Sequence, residues 1–305
     1  HLVYLGTFWQ EVLDADTHMK GSGSTVAQVI DGSLTRQRVS AMAGVSNIGN
    51  DRNWTSHPFG QANWYAFGRL AWNHQQSAEE IAEHWVKMTF GNQPEAVAAI
   101  KEMMLASHQA TVNYMTPLGL HHIMGAGHHY GPGPWVSRMS RADWTSVYYH
   151  RADSMGVGFD RTSSGSDAIS QYQRQVAKQF ADPTTCPEDY LLWFHHLPWD
   201  YKLPNDRILW DEICLRYQQG VEQVDAFVET WQDLIDIIDP LRFTHVHSLL
   251  QIQQREACWW RDACIAYFQT FHDLPIPEGA PQPAYELDYY RNLSYPYAPG
   301  IRPRW

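Results

Sequence analysis

Residues Asn47 to Phe59 (NIGNDRNWTSHPF) gather amide, carboxylate, guanidinium, indole and imidazole groups into one short segment. That mixture suits a polyhydroxylated ligand. Amides and carboxylates exchange hydrogen bonds with hydroxyls, a guanidinium grips a carboxylate through two charge-assisted bonds, and an indole face packs against the C–H face of a sugar. Asn50, Asp51, Arg52 and Trp54 are therefore the candidate substrate-binding residues of this segment. Asp51 is read as orienting substrate rather than as a general base. Arg52 either meets substrate or ties the loop to Asp51 or Asp31. Of the other nearby carboxylates (Glu11, Asp14, Asp16 and Asp31), Glu11 and Asp14 stand three residues apart and share a helical face, which is ordinarily just solvated.

Four imidazoles, His121, His122, His128 and His129, raise a metal hypothesis, since a folded-back loop could chelate a divalent ion. Gly125 and Gly127 between them point instead to a loop shaped by backbone demands, and structural histidines are the preferred reading. No metal or other cofactor is expected. His195 and His196 fall on a predicted helix, and His245 and His247 on another. Copper binding at His1 is disfavoured. Trp144, in DWTSVYYHRAD, is the aromatic best placed to stack on a sugar, with a core position as the competing reading. An Arg151–Asp153 pair is expected to fix the same loop. Ser163 to Ser166 (SSGS) lacks the GxSxG pattern and a preceding strand, so it makes a poor nucleophile loop.

Bulk composition narrows the partners. There are 22 Lys and Arg against 33 Asp and Glu, a net charge of −11, which disfavours nucleic acid and anionic membranes. No run of about 18 apolar residues is present to span a bilayer. The 14 Trp and 16 Tyr suit carbohydrate recognition as well as ordinary cores. Cys186, Cys214, Cys258 and Cys264 form no CxxC pair, so free thiols in a reducing compartment are expected, which points to the cytoplasm; the oxidising periplasm is the alternative location. The chain starts with His1 and no signal-peptide pattern follows, so it is expected to begin inside a longer polypeptide or after processing.

These residues need elements to hold them. His1 to Phe8 reads as a short apolar strand, Gln10 to Asp16 as a helical turn, and Lys20 to Thr25 (KGSGST) as a Gly/Ser loop. Val39 to Ser46 reads as a buried parallel strand feeding the polar loop, and Gln61 to Trp72 as the helix after it. In such a unit the loop at the strand's C-terminal end faces the active site. From Ser77 helices dominate: a capping box at Ser77 and Glu80 with a stop at Gly91, then a helix from Pro94 to about Asn113. Pro117 to Gly165 is long and aperiodic, and such stretches are usually functional. Helices from Pro187, from Asn205 to Ile238 and from Pro240 to His272 follow, the last two as an antiparallel pair. The tail from Leu274 is predicted to be an extended strap.

Several long strings carry a resemblance: GQANWYAFGRLAWN (Gly60 to Asn73), PLGLHHIMGAGHHYGPGPW (Pro117 to Trp135), DWTSVYYHRADSMGVGFDRT (Asp143 to Thr162) and WFHHLPWD (Trp193 to Asp200). In these the chain resembles the C-terminal portion of bacterial-type glycoside hydrolase family 67, the xylan α-1,2-glucuronosidases. The resemblance implies an N-terminal domain, a central (β/α)8 barrel and a mostly helical C-terminal domain used in dimerisation. It makes residues 1–75 the last strand and helix of a TIM barrel, incomplete here, and residues 76–305 the helical domain. It also implies an inverting hydrolase that removes (4-O-methyl)glucuronic acid from xylo-oligosaccharides, with an acid and a base across the sugar. The family's catalytic carboxylates map onto no residue of this chain, so none is assigned and the chain alone is expected to be inactive. The implied partners are the aldouronic acid substrate, the N-terminal part of the same enzyme and a second copy of the helical domain. The alternative is a non-catalytic dimerisation or xylo-oligosaccharide-binding module.

Overall fold

The computed structural model describes residues 1–46, 54–127 and 129–293, which form two units. The first contains residues 1–110 and 223–254, and the second residues 111–222 and 255–305. In chain order the helices are α1 (Gly6–Asp14), α2 (Val26–Ile30), α3 (Pro58–Trp72), α4 (Ala78–Phe90), α5 (Pro94–Met115), α6 (Ser146–His150), α7 (Arg174–Ala181), α8 (Leu191–Phe194), α9 (Leu209–Asp233), α10 (Pro240–Phe268) and α11 (Leu287–Arg291). Residues of α5, α9 and α10 contribute to both units.

In the first unit the helix ends follow local chemistry. Ser77 Oγ accepts the Glu80 N–H at 3.1 Å, and the Glu80 carboxylate accepts the Ser77 N–H at 3.3 Å, so the predicted capping box starts α4. Gly91 ends that helix at φ +107°, a conformation that side chains with a Cβ rarely adopt. His57 starts α3: its Nδ1 accepts the Phe59 N–H at 3.3 Å, and Pro58 occupies the first turn, where no amide hydrogen is needed. Phe59 is fully buried beside Trp85, Phe90 and Trp231, with centroids 5.4, 5.9 and 6.3 Å away. Phe243 stacks on Trp231, and the Trp231 indole N–H donates to the Phe243 carbonyl at 3.1 Å. With Gln254 donating to Asp225 at 2.8 Å, this fixes α9 and α10 as antiparallel.

The two predicted strands do not form. Among the described residues there are only isolated bridges. Leu2 to Leu5 is non-helical and held by side chains of three helices instead of a neighbouring strand. Gln253 accepts the Leu2 N–H at 2.6 Å and donates to the Leu2 carbonyl at 3.1 Å. Ser107 accepts the Tyr4 N–H at 2.8 Å, while Asn63 accepts the Leu5 N–H and donates to the Val3 carbonyl, both at 2.8 Å. From Gly6 the chain is already helical. Residues 39–46 are irregular, with Val39 and Val45 at least 90 % exposed, because an apolar run becomes a strand only where another strand pairs with it. The Gly/Ser loop wraps the Asp16 carboxylate, which accepts the N–H groups of His18, Gly23 and Ser24. These bonds, Gly23's foremost, hold Asp16 below the usual carboxylate range.

In the second unit the aperiodic stretch is ordered by close backbone contacts. Gly125 and Gly133 donate to the carbonyls of Gly131 and Ile123 at 2.8 and 2.9 Å. At Gly131 a Cβ would lie 1.9 Å from the Trp259 ring, so only glycine fits beneath that indole. The helix expected from Pro187 shrinks to a single 3-10 turn and the short α8, so His195 caps its end rather than sitting on a helix. Glu212, 2 % exposed, is neutralised by Arg216 at 2.6 Å and Arg207 at 3.0 Å. The proline-rich tail is strapped down where Trp210 donates to the Pro275 carbonyl at 2.9 Å and Asp262 accepts the Ala284 N–H at 3.1 Å. Beyond the predicted strap, it carries α11.

Two stability predictions follow from this packing. Gln253→Leu keeps the volume but leaves the Leu2 N–H and C=O without their buried partner, so unfolding free energy should fall by about 1–3 kcal/mol in urea titrations. Burial holds the imidazoles of His57 and His150 neutral, depressed to about 4 from 6.5. The unfolded chain therefore binds more protons below pH 6.5, and stability should decline as pH falls from about 6.5 towards 4. Each histidine contributes roughly 2 kcal/mol of that loss by pH 5. A urea midpoint identical at pH 7 and pH 5 would exclude both as neutral buried groups.

Candidate functional site

The first unit carries an aromatic groove built where α1, α3 and the irregular 39–46 segment meet. On α3, Trp64 and Phe67 lie three residues apart and so project from one face, their centroids 6.2 Å apart. Trp9 of α1 packs edge-on to Phe67 at 5.5 Å, and Trp54 packs against Trp64 at 5.5 Å. A Cβ at Gly44 would lie 3.0 Å from Phe67 and 3.1 Å from Trp64, so the missing side chain lets the backbone close on both rings. The cavity thus enclosed measures about 500 Å³ and is completed by Leu5, Val45, Ser46, Thr55, Gly60 and Asn63. Its polar groups are largely committed: Asn63 holds the Leu5 and Val3 main chain, and the Thr55 hydroxyl donates to the His57 carbonyl at 3.1 Å. What remains is ring surface, suited to the C–H face of a sugar or to apolar packing.

Of the residues singled out in this segment, Trp54 is placed at the groove, 36 % exposed. Asn50, Asp51 and Arg52 lie outside the described residues. Glu11 and Asp14 share one face of α1, as their spacing implies. With Thr7, Gln10 and Ala15 they line an open surface recess of about 460 Å³, and both are exposed. Trp64 and Phe67 had been read only as apolar residues of a helix, and Trp9 had not been singled out. The i, i+3 pair on α3 was the available signal, but Trp9 is too distant in sequence to be joined to it by periodicity.

The second unit holds the other candidate platform. Trp144 is half exposed, with the Arg141 guanidinium 5.6 Å from its ring centroid. Arg141 grips Asp143 through two bonds of 2.9 and 2.5 Å, which holds the Asp143 carboxyl below its ordinary value. The Asp143 carbonyl accepts the Tyr149 hydroxyl at 3.0 Å, tying the Trp144 turn to α6. A surface of rings continues from Tyr149: His122 at 4.8 Å, His121 at 5.7 Å and Trp193 at 6.1 Å. Loss of water around the His121 imidazole, with His122 and Arg161 nearby, lowers its proton affinity. His129 packs edge-on to His122 at 5.9 Å, whereas His128 lies outside the described residues. Among the described residues no group of three or more potential ligands converges on a metal position.

The expected Arg151–Asp153 pair is replaced by other contacts. Asp153 accepts the N–H groups of Met155 and Gly156 at 2.7 and 3.1 Å and approaches His196 at 3.6 Å. Arg151 turns to the Phe159 ring at 4.3 Å. A two-residue turn offers Asp153 main-chain donors at no cost in side-chain freedom, and these displace the guanidinium. The SSGS segment is structural: Asp160 accepts the hydroxyls of Thr162 and Ser164, both at 2.7 Å. The four cysteines are free thiols, and no helix among the described residues is long and apolar enough to cross a membrane.

Comparison with known proteins accords with this layout. Residues 1–54 match the family model described as "Glycosyl hydrolase family 67 middle domain", and residues 55–281 match "Glycosyl hydrolase family 67 C-terminus". Alpha-glucuronidase A of Aspergillus tubingensis is 32 % identical over 282 residues, covering 92 % of this chain and 33 % of that protein. Alpha-glucuronidase of Hypocrea jecorina is 33 % identical over 277 residues, covering 90 % of this chain and 32 % of that protein. The chain thus spans about a third of the length of the curated relatives it matches. It is a member of glycoside hydrolase family 67, comprising the end of the middle domain and the helical C-terminal domain.

Proposed function

We propose that this chain is the C-terminal share of an inverting α-glucuronidase that hydrolyses α-1,2-linked (4-O-methyl)glucuronic acid from xylo-oligosaccharides. The observation that carries the reading is the continuous family match from residue 1 to residue 281, with only the first 54 residues in the middle domain. In this division residues 1–75 are the C-terminal end of a catalytic (β/α)8 barrel whose strands come from elsewhere in the enzyme, and residues 76–305 form the helical domain, which pairs with a second copy. Inversion needs a carboxylic acid on the leaving oxygen and a carboxylate about 6.5–9.5 Å away to activate water. Both are taken to lie outside this chain, which contributes binding. The cytoplasm is the proposed location, in keeping with the free thiols.

Each binding role follows from chemistry. Asn50 and Asp51 exchange hydrogen bonds with sugar hydroxyls, and Arg52 faces the uronate carboxylate. Trp54 presents its ring at the groove of the first unit, and in the second unit the exposed face of Trp144 offers a stacking surface for xylose.

The chain alone should show no turnover of aldouronic acids, and supplying the N-terminal share of the same enzyme should restore it. Turnover by the purified chain that is abolished by Asp51→Ala would place a catalytic carboxylate here and overturn the division. In the restored enzyme Trp144→Ala should lower kcat/KM about tenfold through lost stacking. Calorimetric binding without any hydrolysis after complementation would instead identify a non-catalytic module.

A further inference from the structure

Helices are ordinarily capped by Ser, Thr, Asp or Asn, whose side-chain oxygens accept the first amides at neutral pH. The helix α3 uses an imidazole instead. His57 is 6 % exposed, with its ring centroid 5.5 Å from that of Phe59. Nδ1 accepts the Phe59 N–H at 3.3 Å, so Nδ1 is unprotonated and the neutral ring carries its proton on Nε2. Nε2 is buried and has no hydrogen-bond partner. A second proton has nowhere to go, because on Nδ1 it would point straight at the Phe59 N–H and remove the cap.

The same residue closes the wall of the aromatic groove. Its N–H donates to the Thr55 carbonyl at 2.7 Å, while its carbonyl accepts the Gly60 N–H at 2.9 Å and the Thr55 hydroxyl at 3.1 Å. Thr55 and Gly60 both line the groove, and a Cβ at Gly60 would lie 3.0 Å from the Thr55 Cβ. The start of α3, which carries Trp64 and Phe67, thus hangs on one titratable side chain. Nothing around that side chain favours a charge. The rings beside it, Phe59 with Trp85 and Phe90 of α4, are uncharged. The titratable groups that act on it are two further imidazoles, His245 of α10 and His1 of the N-terminal segment, and no carboxylate among the described residues does so. Burial first, then these two histidines, lowers its proton affinity from the ordinary 6.5 to about 4.

We propose that His57 is an acid-sensitive latch on the aromatic groove: the neutral imidazole closes the turn from Thr55 to Gly60 onto α3, and the imidazolium releases that turn while the rest of the unit stays folded. Release is local because the bonds listed above are all made by His57, whereas α4 is capped independently by Ser77 and Glu80. The released imidazolium reaches water, which the closed turn denies it. The closed form binds fewer protons than the released one between pH 6.5 and about 4, so closure is complete above this window and release grows as pH falls through it. The latch is a property of this chain's own fold and stands apart from the catalytic reading.

The test follows amide hydrogen exchange of the 305-residue chain from pH 8 to pH 5, corrected for intrinsic exchange rates, together with tryptophan fluorescence. Protection of the Phe59 and Gly60 amides should fall about thirtyfold over that range, while that of Trp85 and Val86 within α4 stays constant. His57→Asn supplies a cap that does not titrate, so it should hold the Phe59 and Gly60 protection level and abolish the fluorescence change. Unchanged protection in the native chain, an equal loss at all four amides, or a loss that persists in His57→Asn would each overturn the latch. Should His57→Asn fail to fold, the native chain still decides: the carbon-bound ring proton of His57 must titrate in step with the loss of Phe59 protection, and a separate midpoint sinks the proposal.

Discussion

The first unit depends on how the main chain of Leu2 to Leu5 is satisfied. A buried apolar segment must place every N–H and C=O, and this one places them on a glutamine, a serine and an asparagine from α10, α5 and α3. Helix side chains thus take the role a flanking strand would have. The anchoring is specific, since Gln253 and Asn63 each use both amide functions on the segment. It also sets where α1 begins, and hence where Trp9 meets Phe67 and where the groove opens. Tyr4 extends the same logic: fully buried, it sends its hydroxyl to the Ala78 carbonyl at 2.9 Å, at the start of α4.

The second unit solves a different problem. Its longest aperiodic stretch is held by glycines pressed against other parts of the unit and by rings meeting at their edges. Gly156 and Gly158 lie so close to the carbonyls of Leu197 and His195 that a Cβ would fall 2.0 Å from each. Such contacts leave little freedom to the segment that carries Trp144, Tyr149 and Arg161. A binding surface built from rings gains from this, because stacking tolerates little displacement. Buried His150, with Nε2 on the Pro134 carbonyl and Nδ1 accepting the Ala152 N–H, braces α6 from beneath.

Legibility in the sequence followed the locality of the signal. The capping box at Ser77 and Glu80, the stop at Gly91 and the prolines at the starts of α5 and α10 are written within one turn of the helices they govern. The strands were misread because a short apolar run does not reveal whether a partner strand exists. Trp144 was visible as an aromatic in an irregular stretch, and it is half exposed. The setting of Arg161 was not visible, since Trp193 comes 32 residues later and only folding brings the two together. The Arg151–Asp153 pair looked natural by proximity, yet main-chain donors and an aromatic ring took both partners.

The seam between the two family matches falls after Trp54, and the groove straddles it. Trp9 and Trp54 lie on one side, and Trp64 and Phe67 on the other. Divergence on either side of the seam must then be matched across it, because a change in ring size at Trp9 is felt at Phe67. A boundary drawn by homology need not be one at which the chain can be cleanly divided. Recombining middle domains and C-terminal domains from different family members would have to carry all four rings as one set.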